Sequence, residues 1–302
     1  MNFRILKNIR VFVSLVFFLL ITFVFIDFTN AFAGNIIQGI LYLQFLPSFL
    51  SFMGLAGIAA AGFLFIIALN LMFGRIYCST ICPLGTFQDI IIWLKRKFSK
   101  RKVFKYRKAV NYLRYSILGI SILLFFTGLI SPLLLLDPYS NYGRIAANLF
   151  RPLYLWLNNQ GAVGLESMDI YTLYRVEPGI TQWFSVSFSV FFIILIVWLS
   201  VKYARFFCNG LCPVGAFLGL LSKYSVFKIK LDKSLCTSCG KCSAVCKANC
   251  IDFKSREVDF SRCVVCLNCL NSCPSNGVVF SNKKIEGEAV LKTFDPRRRE
   301  VI

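Results

Sequence analysis

Cysteine is the residue through which this chain could do chemistry, and it occurs in two spaced patterns. The first lies between Cys236 and Cys273, where Cys-x2-Cys-x2-Cys-x3-Cys appears twice, as LCTSCGKCSAVCKANC and CVVCLNCLNSCP, at a constant offset of 27. Thiolates at this spacing hold cubane iron–sulfur clusters: three ligands come from one tight loop, and the remote fourth serves the other cluster. Cys236, Cys239, Cys242 and Cys273 are therefore expected to bind one [4Fe–4S] cluster, and Cys263, Cys266, Cys269 and Cys246 a second. A zinc ribbon needs two cysteine pairs rather than two triplets each with a distant fourth, and a disulfide framework needs an oxidising compartment.

Residues 236 to 280 resemble a bacterial two-cluster ferredoxin domain on these motifs. One departure stands out: Pro274 follows Cys273, but Lys247 occupies the matching position after Cys246. Proline fixes φ and removes a donor, so its loss leaves one more N–H free to reach a sulfur and tune a potential. Cys250, four residues after a ligand, reads as a small buried thiol.

The second pattern is GRIYCSTICPLGTF from Gly74 and ARFFCNGLCPVGAF from Ala204, which match at an offset of 130. Arg75 pairs with Arg205, Cys78 with Cys208, Cys82 with Cys212, Pro83 with Pro213 and Gly85 with Gly215. The residue before proline avoids the helical region while proline suits a first helical turn, so each Cys-x3-Cys is expected to be a loop feeding a helix. Helix N-termini would then point their positive ends at Cys78, Cys82, Cys208 and Cys212, which suits an anionic thiolate centre. Two readings stand for these cysteines: a shared metal or cluster centre, or two dithiols. Arg75 and Arg205 either neutralise the thiolates or snorkel to lipid headgroups as anchors.

The elements that must position these residues are set by composition. With 57% hydrophobic residues and 32 Phe among 302, and with a positive mean hydropathy, the chain reads as a mainly α membrane protein. Thirteen cysteines beside 34 Lys and Arg suit a redox protein facing a reducing compartment. There is no histidine, which excludes His-ligated haem, a Rieske centre and a His proton relay within this chain. Apolar runs predict four transmembrane helices, at 11–26, 52–73, 110–136 and 183–201, as a duplicated two-helix unit about a pseudo-two-fold axis along the membrane normal. The segment 31–51, uncharged and holding Pro47, reads as an interfacial or re-entrant helix. Lys95 to Lys108 carries nine basic residues, so the positive-inside rule places it in the cytoplasm, against anionic lipid rather than nucleic acid. The helix from Pro83 has Leu84, Phe87, Ile91, Leu94 and Phe98 at helical spacing and is expected in the interface plane. The near-neutral stretch 137–182 falls outside, where Glu166, Asp169 and Glu177 are solvated carboxylates or proton acceptors. Three units follow: a four-span domain over 1–223, a small α+β two-cluster ferredoxin domain over 224–285, and a basic tail over 286–302. Both termini and the ferredoxin domain would be cytoplasmic.

Paired Cys-x3-Cys-Pro loops in a four-span protein, followed by a double ferredoxin domain, resemble the NapH-type family of iron–sulfur membrane components of quinol dehydrogenases, known from periplasmic nitrate reductase operons. The resemblance covers about residues 1 to 280. It implies a multi-pass protein of the bacterial inner membrane that exchanges electrons with quinone and delivers them through clusters to a partner iron–sulfur protein or reductase. Two relatives share the core. The nitrous-oxide-reductase regulator NosR adds a flavin-binding domain before it, and CcoG-type copper reductases add a C-terminal domain, whereas 29 residues follow Cys273 here. Copper-ion reduction, or anchorage of a soluble redox partner, remain the alternatives to quinol oxidation.

Overall fold

The first helix, α1 (Phe3–Ile26), runs 24 residues without glycine or proline. At 1.5 Å per residue it is about 36 Å long, enough for a hydrocarbon core of about 30 Å. In the computed structural model, which describes residues 3–27, 34–54, 60–99, 104, 106–129, 134–169, 172–177 and 182–282, one other helix is long and apolar enough to cross a membrane, Trp183–Tyr203. Both turn large apolar side chains outward, Phe12, Leu19 and Phe23 on the first and Phe184, Phe191 and Ile194 on the second. Outward apolar faces of this kind belong to a membrane protein, where lipid replaces water as the solvent.

The two other expected spans appear as shorter apolar helices, α4 (Ala60–Phe73) and α7 (Asn111–Phe126). At 14 and 16 residues they cover about 21 and 24 Å, less than a bilayer core. The expected continuations at 55–59 and 130–133 lie outside the described residues. The third span was expected to run on to Leu136. Instead, α7 stops at a left-handed Gly128 (φ 74), whose N–H bonds back to Phe125 and so closes the helix end. Between α1 and α4, α2 (Gly34–Tyr42) and α3 (Phe45–Met53) meet at 90°, the geometry of a broken span or re-entrant loop. The bend falls at Leu43 and Gln44, and Pro47 sits in the first turn of α3, where a missing N–H is harmless.

The remaining membrane-domain elements surround the second cysteine pattern. They are α5 (Tyr77–Thr80), α6 (Pro83–Phe98), α8 (Pro138–Ile145), a π-turn over Ala146–Phe150, α9 (Arg151–Glu166), α10 (Trp183–Tyr203), a π-turn over Phe207–Leu211, and α11 (Pro213–Ser222). Helix α6, expected in the interface plane, turns its apolar face onto protein. Its first three turns bury Leu84, Gly85, Gln88, Ile91 and Ile92 against α1, α8 and α10. Only toward its basic end are Trp93, Leu94 and Phe98 exposed.

The last unit pairs β1 (Lys228–Leu231) antiparallel with β4 (Val278–Ser281), Leu231 opposite Val278, and β2 (Ile251–Asp252) with β3 (Glu257–Val258). Helices α12 (Lys241–Ala244) and α13 (Asn268–Ser272) follow left-handed residues Gly240 and Leu267. Positive φ recurs at Ser238 and Val265, Gly240 and Leu267, and Asn249 and Asn276. These pairs stand 27 apart, so the backbone repeats at the offset of the cysteines. One buried cluster of apolar side chains and cysteines runs from Ile21, through Cys78 and Cys208, to Cys273 and Val278, so this unit and the membrane helices share a core.

Candidate iron–sulfur sites

Each Cys-x3-Cys-Pro segment joins one helix to the next as proline dictates. Cys82 (φ −67, ψ 117) and Cys212 (φ −79, ψ 118) are extended N-caps of α6 and α11, with Pro83 and Pro213 in the first turns. Cys78 lies in α5 and Cys208 in the π-turn, and all four thiols are buried. They also act on one another. Burial pushes the Cys82 and Cys212 thiols well up, and Cys208 and Cys78 raise both further. Burial pushes Cys208 up to about 11, opposed by Arg205 and Arg75. Segments 130 residues apart in sequence thus bring their cysteines into one neighbourhood.

The arginines interlock the two segments. Arg75 donates from Nη1 to Asn209 Oδ1 at 2.7 Å and from Nη2 to the Cys208 carbonyl at 2.8 Å, and its Nη2 stands 3.9 Å from Cys78 Sγ. Arg205 donates from Nη1 to the Cys78 carbonyl at 2.7 Å, from Nη2 to the Gly85 carbonyl at 3.0 Å and from Nε to Asp89 at 2.8 Å. Each arginine therefore holds the cysteine carbonyl of the other segment. The expectation that Arg75 and Arg205 contact lipid is corrected here: both are 0% exposed, because planar guanidinium forks satisfy several buried carbonyls at once. Their contact with the thiolates' neighbourhood stands. Gly85 and Gly215 complete the lock, since a Cβ at either would collide with the carbonyl of Cys78 or Cys208. Two further N–H groups reach sulfur, Gly215 N to Cys212 at 3.3 Å and Gln88 Nε2 to Cys208 at 3.4 Å. Burial alone keeps these thiols protonated, and the N–H donors and guanidinium groups around them offset part of the cost of the thiolate form that iron would require.

In the ferredoxin unit, Cys236, Cys239, Cys242 and Cys273 line one small cavity together with Gly240 and Phe253. Four thiols facing one cavity are the donor set that a [4Fe–4S] cluster would take. Cys246, Cys263, Cys266 and Cys269 are buried, and Cys269 is pushed well up by burial and then by Cys266, Cys263 and Cys246. Cys250 does more than fill space. Its Sγ lies 3.6 Å from that of Cys246, and its hydrogen bond is the largest influence drawing Cys246 down to about 6. The last turn of α6 and the basic stretch after it also touch this unit: Arg96 donates to the Val245 carbonyl at 3.1 Å, and the Arg107 carbonyl accepts from Arg262 at 2.8 Å.

Two carboxylates matter that spacing does not reveal. Asp89, inside α6, receives Arg205 at 2.8 Å, Lys247 at 2.9 Å and Arg10 at 3.6 Å. Burial pushes its carboxyl up, but Arg205, Lys247 and Arg10 outweigh that and hold it well below the usual carboxylate range. Asp137 was expected at the start of an external loop. It is instead 2% exposed, caps α8 through Ser140 N at 2.7 Å, and its charge reaches Cys82 and Tyr77. Glu166, by contrast, forms a surface pair with Arg175.

Asp137 gives a pH-dependent prediction. Burial pushes its carboxyl up to about 6, against the hydrogen bonds from Ser140. An unfolded Asp titrates near ~3.9, so the fold favours the protonated form. Stability fully present below that value is lost as pH rises through about 6. Asp137→Asn is expected to stabilise the protein more at pH 8 than at pH 5, by about 1.4 kcal/mol, the part of the shift that lies above pH 5. An equal gain at both pH values would show that the carboxylate is ionised throughout.

A family model described as a 4Fe-4S binding domain matches this chain twice, over residues 54–101 and 184–233. The two matches hold Cys78 and Cys82, and Cys208 and Cys212. The chain is similar to the methylamine utilization ferredoxin-type protein MauN of Methylobacillus flagellatus, at 27% identity over 63% of this chain and 52% of that protein. It is similar to the ferredoxin-type protein NapH of Haemophilus influenzae, at 24% over 57% and 47%, and to the putative electron transport protein YccM of Escherichia coli, at 27% over 64% and 47%. It spans about half the length of these curated relatives. No solved structure matches it. Two matched 4Fe-4S segments locked together by buried arginines, and the likeness to NapH and MauN, make the chain similar to the ferredoxin-type iron–sulfur membrane proteins of the NapH type.

Proposed function

We propose that this protein carries electrons between quinone in the bilayer and a partner redox protein, as the iron–sulfur membrane component of a quinol dehydrogenase. The observation that carries this reading is that the four thiols of the membrane segments and six of the ferredoxin unit, Cys242, Cys246, Cys263, Cys266, Cys269 and Cys273, lie in one continuous buried core, with Cys236 and Cys239 at its edge. In this reading Cys236, Cys239, Cys242 and Cys273 hold one [4Fe–4S] cluster, and Cys263, Cys266, Cys269 and Cys246 the second. Cys78, Cys82, Cys208 and Cys212 hold a third centre at the axis of a four-span, duplicated membrane domain in the bacterial inner membrane, with both termini cytoplasmic. Bound there, such clusters supply one-electron couples. The chain's own residues bury the thiolates, donate N–H groups to them and balance their charge with arginine.

Quinone access is supported by an open cleft where α10 meets the ferredoxin unit, lined by Ile193, Val197 and Trp198 on the membrane side and by Arg107 and Asn249 on the other. Asn249 donates to the Tyr203 carbonyl, which leaves its buried Oδ1 without a partner. That acceptor suits a quinol hydroxyl.

Iron and acid-labile sulfide per chain test the centres. Purified anaerobically, the full chain is expected to contain about twelve of each, four per cubane in three sites. About eight of each would leave the membrane cysteines as dithiols. Stoichiometric zinc without sulfide would sink the reading altogether. The function itself is tested by adding a reduced quinone analogue to the cluster-loaded protein and following the bleaching of its visible absorbance. Reoxidation of dithionite-reduced clusters by cupric ion, one cuprous ion formed per electron, with no response to quinol, would favour metal-ion reduction instead.

A further inference from the structure

The two halves of the ferredoxin unit match in backbone but differ in surroundings. Pro274 follows the last cysteine of one half, and Lys247 follows that of the other. Lys247 is largely covered, and its Nζ lies 2.9 Å from Asp89, while the Arg205 N–H donates to its carbonyl at 3.1 Å. Asp89 in turn holds Arg205 and Arg10, and Arg10 donates to the Ser79 carbonyl at 2.9 Å. Beside this bridge, Asn209 donates to the Ala248 carbonyl at 3.1 Å and Asn249 to the Tyr203 carbonyl at 3.1 Å. The loop behind Cys246 is thus bound to α1, α6 and the second Cys-x3-Cys segment at once. Arg205 links both sides, because its side chain grips the Cys78 carbonyl while its backbone holds the residue after Cys246.

Three cations share this bridge with one carboxylate, so a positive surplus is buried next to Cys246. Lys247 and Arg10 are the cations that act most on Cys266, and Lys7, Arg96 and Arg205 also feel its charge. The charges that act on Cys242, in the other half, are those of Cys273, Cys236 and Cys239. Reduction adds an electron to a site already ringed by thiolates, and a buried cation nearby stabilises the added charge with little screening.

We propose that Lys247 is a positioning residue: its bridge to Asp89 seats the Cys246 loop on the membrane cysteine segments, and its charge makes the centre of Cys246, Cys263, Cys266 and Cys269 the easier of the two ferredoxin centres to reduce. The inference rests on reading those four cysteines as cluster ligands. It places this centre, rather than that of Cys236, next to the Cys78 and Cys208 segments in the order of electron passage.

Redox titration of the full-length protein, followed by the spin resonance of its reduced clusters, tests this. Wild type is expected to show two ferredoxin-type signals with separate midpoints. Lys247→Met should lower the higher midpoint by about tenfold in the reduced-to-oxidised ratio, 59 mV for a one-electron couple, and leave the lower one in place. Lys247→Arg keeps the charge and should keep the midpoint. Asp89→Asn removes the anion and should move the same midpoint upward. If Lys247→Met shifts both signals equally, or neither, the inference is overturned while the cluster reading survives. If Lys247→Met loses one signal entirely, its retention at the wild-type midpoint in Lys247→Arg supports the inference, and its loss there overturns it. Absence of both signals in wild type would remove the cluster reading and this inference with it.

Discussion

Arg205→Met is expected to destabilise the protein by about 3–5 kcal/mol, the range for removing one partner of a buried ionic network. The change strands the Cys78 and Gly85 carbonyls and removes the nearest of the three cations around Asp89. None of these acceptors can turn to water, since the side chain of Arg205 is fully buried and buried unsatisfied carbonyls each carry a desolvation penalty. Arg205→Lys should recover little, because a single ammonium cannot span Asp89, the Cys78 carbonyl and the Gly85 carbonyl together. Arg175→Met supplies the contrast. That arginine pairs with Glu166 with 59% of its side chain exposed, and such surface pairs contribute about 0–1 kcal/mol. Unfolding midpoints of the three variants in detergent micelles measure the difference. Should Arg205→Met unfold no earlier than Arg175→Met, the interlock between the two segments carries no stability.

Sequence discloses what depends on neighbours in the chain and conceals what depends on partners far along it. The cysteine triplets, the prolines that open α6 and α11, and the 27-residue repeat are local rules, and the backbone of the ferredoxin unit follows them down to its left-handed residues. The interlocking arginines were open to two readings because Arg75 and Arg205 find their partners 133 and 127 residues away. A basic residue at the end of an apolar helix looks the same whether it snorkels or is buried. Lys247 shows the limit most plainly. Its backbone consequence, a missing proline, was legible, but its side chain is explained by Asp89 in α6, which in sequence is one acidic residue on an amphipathic helix. Asp137 escaped for a related reason: charge balance placed its whole segment in solvent, while tertiary packing buried its first residue.

Removing either membrane cysteine pair is expected to abolish the same function completely, and removing both pairs should do no further harm. In the shared-centre reading the four thiols form one site, which the influence of Cys208 and Cys78 on both Cys82 and Cys212 supports, and two remaining thiolates seldom hold a cluster alone. Cys78→Ser with Cys82→Ser should therefore match Cys208→Ser with Cys212→Ser, and the fourfold change should equal both. Such non-additivity marks residues that act as one unit. The readout is the rate at which quinol reduces the clusters of the ferredoxin unit in membranes, with chemical reduction by dithionite as the check that those clusters persist. The buried arginines sharpen the test. With the thiols gone but Arg75 and Arg205 still bonded to the backbone carbonyls of Cys208 and Cys78, the fold retains its interlock, so a lost rate reports a lost centre rather than an unfolded protein. Partial and independent losses from the two pairs would instead establish two separate dithiols. An unchanged rate in all three variants would make the thiols structural and send electrons from quinone to the Cys246 half of the ferredoxin unit directly, across the cleft that Asn249 lines.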